Sequence, residues 1–193
     1  MAGHSLGEYT ALTCAGAIGF ADAIRLVRLR AEAMQSAVPE GVGAMAAVLG
    51  LDDDTIRAVC AEASQGEVLE AVNYNSPGQV VIAGNKAAVD RGCALAKARG
   101  AKRALPLPVS VPSHCALMMP AAEKLLAAMA GIEMKAPTIP VIHNADVASH
   151  DDPSAMRDAL ARQLYSPVRW VESMQSFATR GVTRIAECGP GKV

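Results

Sequence analysis

Residues Gly3-His4-Ser5-Leu6-Gly7, near the start of the chain, fit the pattern G-x-S-x-G. A serine so placed is a nucleophile candidate. In this pattern a strand ends in a tight turn and lifts the hydroxyl onto the N-terminus of a helix, whose first N–H groups can hold an oxyanion. Both glycines read as places where chain segments pass closely. The stretch LGEYTALTCAGA predicts that helix, with Gly16 as its stop. Only Met1 and Ala2 precede Gly3, so the strand that should deliver the turn is expected to be missing, as if the chain were cut inside its motif.

An activated serine needs a base, and four histidines are candidates. His4 lies inside the turn, with its side chain expected to point away from Ser5. His150 sits in the polar loop ASHDDPS, and His143 ends an apolar run as a core or rim residue. His114, in SVPSHCALMMP, stands where extended chain gives way to helix, a junction where sites collect in α/β folds, and is the preferred base. A second signal is independent of the serine. On a wheel of the helix Ile24–Val38, Arg25, Arg28, Glu32, Gln35 and Ser36 share one solvated arc of about 100°. Arg30 lies opposite, among Leu26, Met34 and Ala37. A cation on the apolar side needs an anion, either an internal partner or the carboxylate of a ligand that its planar fork can grip bidentately.

The elements that must position these groups alternate along the chain. Helices are predicted at FADAIRLVRLRAEAMQSAV, LDDDTIRAVCAEAS, KAAVDRGCALAKARG, MMPAAEKLLAAMAGI, PSAMRDALARQLYS and VRWVESMQSFATRG. Strands are predicted at GAMAAVLG, VLEAVNYN, QVVIAGN, IPVIHNA and TRIAEC, with KRALPLPVSV extended and Ser76-Pro77-Gly78 as a turn. From Ala44 to Val109 the order is β-α-β-β-α-β, that of a ferredoxin-like unit. It interrupts a second, α/β region. The expected domains are therefore 1–43 with 110–193, and 44–109 inserted between them.

The 193 residues are 51% hydrophobic, enough to bury a core, and the formal charge of −1 gives no general attraction to nucleic acid or anionic membrane. No apolar run approaches the roughly eighteen residues of a membrane span. The 5 cysteines are scattered, which fits neither a disulfide framework nor a metal site and suits a reducing, cytoplasmic setting.

Five segments in order, GHSLGEYTAL, NYNSPGQVVIAG, PVSVPSHCALM, QLYSPVRW and ECGPGK, together resemble the malonyl-CoA:acyl carrier protein transacylases from Gly3 to Lys192. The resemblance implies Ser5 as nucleophile, His114 as its base, Arg30 as the clamp on the malonyl carboxylate and Gln163 as a site residue near His114. It implies malonyl-CoA and acyl carrier protein as partners, a carbonyl rather than an acid orienting His114, and no metal or redox cofactor. The backbone N–H of Leu6 would be one oxyanion donor. Family members carry a longer N-terminal segment whose glycine-rich, glutamine-containing motif supplies the other donor, and a further C-terminal tail. The resemblance thus implies an incomplete hydrolase-like α/β core, truncated at both ends, with the ferredoxin-like unit inserted. The basic run KARGAKR offers Lys97, Arg99, Lys102 and Arg103 as a docking patch for an acidic carrier. Two other readings are weighed. A serine esterase would want an acid and then a late histidine, an order the chain does not offer. A non-catalytic carrier-binding module would need no Ser5 chemistry.

Overall fold

The structure, a computed structural model, describes residues 1–109 and 111–189. Ser110 and the Pro-Gly-Lys part of the ECGPGK motif lie outside the described residues.

Two helices follow the serine turn, α1 (Leu6–Cys14) and α2 (Phe20–Ala37). Gly16, at φ 76°, ends the first as its position predicts. Then come β1 (Gly43–Leu49), α3 (Asp53–Ser64), β2 (Leu69–Ser76), β3 (Gln79–Asn85), α4 (Lys86–Ala98) and β4 (Arg103–Pro106). The Asp52 carboxylate accepts from the Thr55 backbone N–H and hydroxyl, capping α3. The strands form one antiparallel sheet in the order β2-β3-β1-β4. Alternation gives this sheet two apolar faces. Ala46, Val48, Val80, Ile82 and Ala104 pack with Ile56, Val59, Val89 and Cys93 of α3 and α4. Met45, Val72, Val81 and Ala83 face the other way and pack on Cys115. The extended run KRALPLPVSV yields only four strand residues, followed by one bond from the Leu107 N–H to the Met45 carbonyl, before Pro108, which has no N–H to give a ladder.

Beyond the sheet a single 3-10 turn (Ala116–Met118) leads into α5 (Met119–Met129), followed by α6 (Pro153–Gln163) and α7 (Trp170–Thr179). The second core joins α1, α2, α5 and α6 through Tyr9, Leu12, Leu26, Met118, Leu125, Met129, Met156 and Leu160. Segment 167–169 fastens this half to the edge of β2. The Val168 N–H donates to the Val72 carbonyl at 2.8 Å, and the Tyr74 N–H donates to the Val168 carbonyl at 3.1 Å.

Two expected strands do not form. IPVIHNA is represented by one isolated parallel bridge, Ile142 beside Ala2, and TRIAEC has no strand partner among the described residues. A strand is a ladder rather than a pattern, and its neighbours must be present to take its backbone groups. At the first site the Ile142 N–H donates to the Met1 carbonyl, and among the described residues no ladder extends from that bridge. At the second, Ile185 is 67% exposed.

Candidate active site

The serine turn is strained and held from several sides. Ser5 has φ 50° and ψ −103°, a left-handed backbone for a residue with a side chain. Its N–H donates to Asn144 Oδ1 at 2.7 Å, and Asn144 Nδ2 donates to the Gly3 carbonyl at 2.9 Å. Gly3 must be glycine, since a Cβ there would stand 1.9 Å from the Gly7 carbonyl oxygen. Gly7 is different: a Cβ would meet nothing within 4 Å, so no close approach explains it. The Leu6 N–H opens α1 and by helix geometry has no intrahelical acceptor, which leaves it free for an oxyanion.

Ser5 Oγ lies 2.9 Å from His114 Nε2 and 2.9 Å from Arg30 Nη2. On its far side His114 Nδ1 lies 2.7 Å from the Gln163 carbonyl. A carbonyl only accepts, so Nδ1 carries the proton and Nε2 presents a lone pair to the serine hydroxyl. His114 is buried, and that burial, aided by the charges of Arg30 and His4, lowers its pKa from 6.5 to about 4 against the raising effect of the Gln163 carbonyl. The imidazole is therefore neutral at pH 7 and able to take a proton. Cys115, next to it, is no rival nucleophile. Its thiol is pushed up to about 12 by burial and is spent on the Pro112 carbonyl at 3.1 Å.

Arg30 lies on the buried face of α2, while Arg25 and Arg28 lie in solvent, paired with Asp22 and Glu32. Its guanidinium stacks 5.6 Å from the Tyr9 ring centroid and donates to Gln163 Oε1 at 3.2 Å. Among the described residues no carboxylate is within ion-pair distance of it. Ser5, His114, Arg30 and Gln163 thus meet at one point, brought together from α1, the turn before α5, α2 and the end of α6. Lys102 and Arg103 do not join them: they are exposed beside β4, the sheet edge opposite β2. Arg99 is already paired with Glu62.

The remaining histidines hold the frame. His4 turns away from Ser5, with Nε2 2.8 Å from Asn75 Oδ1 of β2 and its ring edge-on to Trp170 at 5.4 Å. His143 is fully buried, with Nδ1 2.7 Å from the Glu8 carboxylate. His150 is only one-quarter exposed and pairs with Asp146, so the loop around it is less open than its polarity suggests. Sequence reasoning missed Glu8, Asn144 and the Asn73–Asn75 edge. Glu8 carried a usable signal, because it shares the apolar stripe of α1 with Leu12, as Arg30 shares that of α2. Asn144, 139 residues from Ser5, carried none.

Residues 1–190 match the family described as acyl transferase domain. This chain belongs to that family. The acyl transferase domain is 62% identical over all its residues to the malonyl CoA-acyl carrier protein transacylase of Escherichia coli, and covers 62% of that protein. It superposes on a solved acyl-carrier-protein S-malonyltransferase from Burkholderia pseudomallei with a TM-score of 0.98 at 64% identity, covering 100% of this chain and 62% of the other. It also matches a malonyl-transacylase solved in complex with a type II PKS acyl-carrier protein, with a TM-score of 0.93 at 58% identity, over 94% of this chain and 59% of that one. The acyl transferase domain therefore spans about three fifths of the length of these relatives and shares their α/β fold. No helix among the described residues is long and apolar enough to cross a membrane.

Proposed function

We propose that this chain moves a malonyl group from coenzyme A to acyl carrier protein through a malonyl-serine ester on Ser5. The observation that carries the reading is the placement of one hydroxyl between a neutral base and a buried cation, His114 and Arg30, each 2.9 Å from Ser5 Oγ. A base alone suits any acyl transfer. The cation adds a reason to choose an acyl group that ends in a carboxylate.

Ser5 Oγ attacks the thioester carbonyl while its proton passes to His114 Nε2. The oxyanion of the tetrahedral state faces the Leu6 N–H. As the C–S bond breaks, His114 returns the proton to the coenzyme A thiolate. The carrier's thiol then loses its proton to His114 and attacks the ester, and Ser5 Oγ leaves and regains that proton. One thioester is exchanged for another, so little free energy is at stake overall. The work lies in stabilising two tetrahedral states and excluding water. The depressed His114 pKa suits this, because the imidazolium formed in each step gives up its proton readily. The Gln163 carbonyl at Nδ1 stands where a serine esterase of triad type would hold an acid, which favours the transferase over the esterase.

In this reading residues 1–43 and 110–193 form a hydrolase-like α/β core, and 44–109 a ferredoxin-like insert. The β2-β3-β1-β4 order, with α3 and α4 on one face, supports the insert. The chemistry asks for no resident cofactor or metal and suits the cytoplasm. Carrier docking at Lys102 and Arg103 has the weaker support, since they lie at the sheet edge opposite the strand that meets His4. Intact-mass analysis after incubation with malonyl-CoA tests the reading. One malonyl adduct is expected, absent in Ser5→Ala and discharged by a carrier bearing its phosphopantetheine thiol. An adduct that survives Ser5→Ala would overturn it.

A further inference from the structure

A carboxylate buried beneath the nucleophile takes no part in the steps above. Glu8 is 0% exposed, three residues after Ser5 on α1. A carboxylate buried this close to a reacting group is costly unless its oxygens are well hydrogen-bonded. Its two oxygens have three partners. Oε1 lies 2.7 Å from His143 Nδ1, and Oε2 accepts from the Asn144 backbone N–H and from Gln163 Nε2, both at 2.9 Å.

Each of the latter two residues reaches Ser5. Asn144 accepts from the Ser5 N–H and so holds the strained turn. Gln163 Nε2 also donates to the Ser5 carbonyl at 3.0 Å, leaving Oε1 to accept from Arg30 Nη2. The amide of Gln163 has two ends, and only one orientation satisfies all of these neighbours. Its NH2 must face two oxygens that cannot donate, and its oxygen must face a guanidinium that cannot accept. A reversed amide would set oxygen against oxygen on one side and N–H against N–H on the other. We infer that Glu8 is a positioning residue, which through Gln163 and Asn144 fixes the directions of the Arg30 guanidinium and of the Ser5 turn, and thereby sets the preference for acyl groups bearing a carboxylate.

This rests on the transfer reading for the acyl groups named, though not for the geometry. The test is competition between malonyl-CoA and acetyl-CoA for Ser5, read by intact mass, with a thermal melt of each variant. In Glu8→Met the malonyl-to-acetyl ratio should fall about tenfold or more, the scale of one hydrogen bond to a charged group. Glu8→Asp keeps the charge but withdraws the oxygens by one methylene, and should fall several-fold. Glu8→Gln loses the charge but keeps shape and an acceptor oxygen, and should stay nearest to the parent. A role in charge alone predicts the reverse order of Asp and Gln, and a purely structural role moves the melting temperature without the ratio. Either result, in folded protein, overturns the inference. If Glu8→Met does not fold, the order of Asp and Gln decides. Should the parent take no malonyl group, the transfer reading fails by itself. Glu8 is then judged by the rate at which a fluorophosphonate labels Ser5, expected to decline from Gln to Asp to Met, with equal rates overturning it.

Discussion

The two halves of the molecule bury different things. The sheet between Gly43 and Pro106 packs Ala, Val, Ile and Cys on both faces, and Asn73 is its one buried polar residue, on the strand that meets the serine turn. Its ion pairs, such as Lys86 with Asp90 and Arg57 with Asp54, lie in solvent and contribute little. The helical half buries Glu8, Arg30, His114, His143, Asn144, Gln163 and Ser173. All but Ser173 are linked by hydrogen bonds within a few residues of Ser5. The sheet is thus an apolar scaffold whose stability should be insensitive to chemistry, while the helical half trades stability for a preset arrangement of polar groups. Mutations in the two should therefore read out on different axes.

The largest expected effect breaks the scaffold. Ile82 is fully buried in the inner strand β3, and Ile82→Ala should lower the unfolding free energy by about 2–5 kcal/mol in urea titrations. The malonyl-to-acetyl labelling ratio of the folded fraction should stay where it was, and a changed ratio would merge the two regions. Next comes the reverse case. Arg30→Ala should cost malonyl labelling of Ser5 about ten- to a hundredfold while acetyl labelling is kept or gained. Arg25→Ala and Arg28→Ala, in solvent, should do neither. Equal losses for both acyl groups would make Arg30 a packing residue. The smallest effect is in pH. Ser5 reacts only while His114 is unprotonated, so the acid limb of its labelling rate should fall near pH 4 rather than 6.5. At pH 5.5 the rate should keep nearly all of its neutral value, about 97%, where an ordinary histidine would keep about one tenth. A limb at 6.5 would mean that the imidazole is solvated.

The same division governs what the sequence made legible. QVVIAGN was read as a strand with the bounds it has, because alternation and a Ser-Pro-Gly turn are local signals. IPVIHNA and TRIAEC carry equally apolar patterns and are not strands, since pairing depends on neighbours that a pattern does not contain. In the site, Ser5 and Arg30 announced themselves by motif and by wheel, and His114 by its place between extended chain and helix. Gln163 came from the family resemblance alone. Its part depends on both ends of its side-chain amide and on its backbone carbonyl, whose four contacts meet only after α6 has packed. Glu8 was hidden in plain view beside Tyr9, in a stretch read only for its helical period.

The sequence distances inside the site set a timetable. The Ser5 hydroxyl meets its base 109 positions further along the chain, its N–H meets Asn144 after 139 and its carbonyl meets Gln163 after 158. Until those residues have emerged and packed, nothing holds the turn at φ 50° or takes the hydroxyl proton. The growing chain therefore carries an inert serine until the segment through α6 has been made, and reactivity arrives only with its packing.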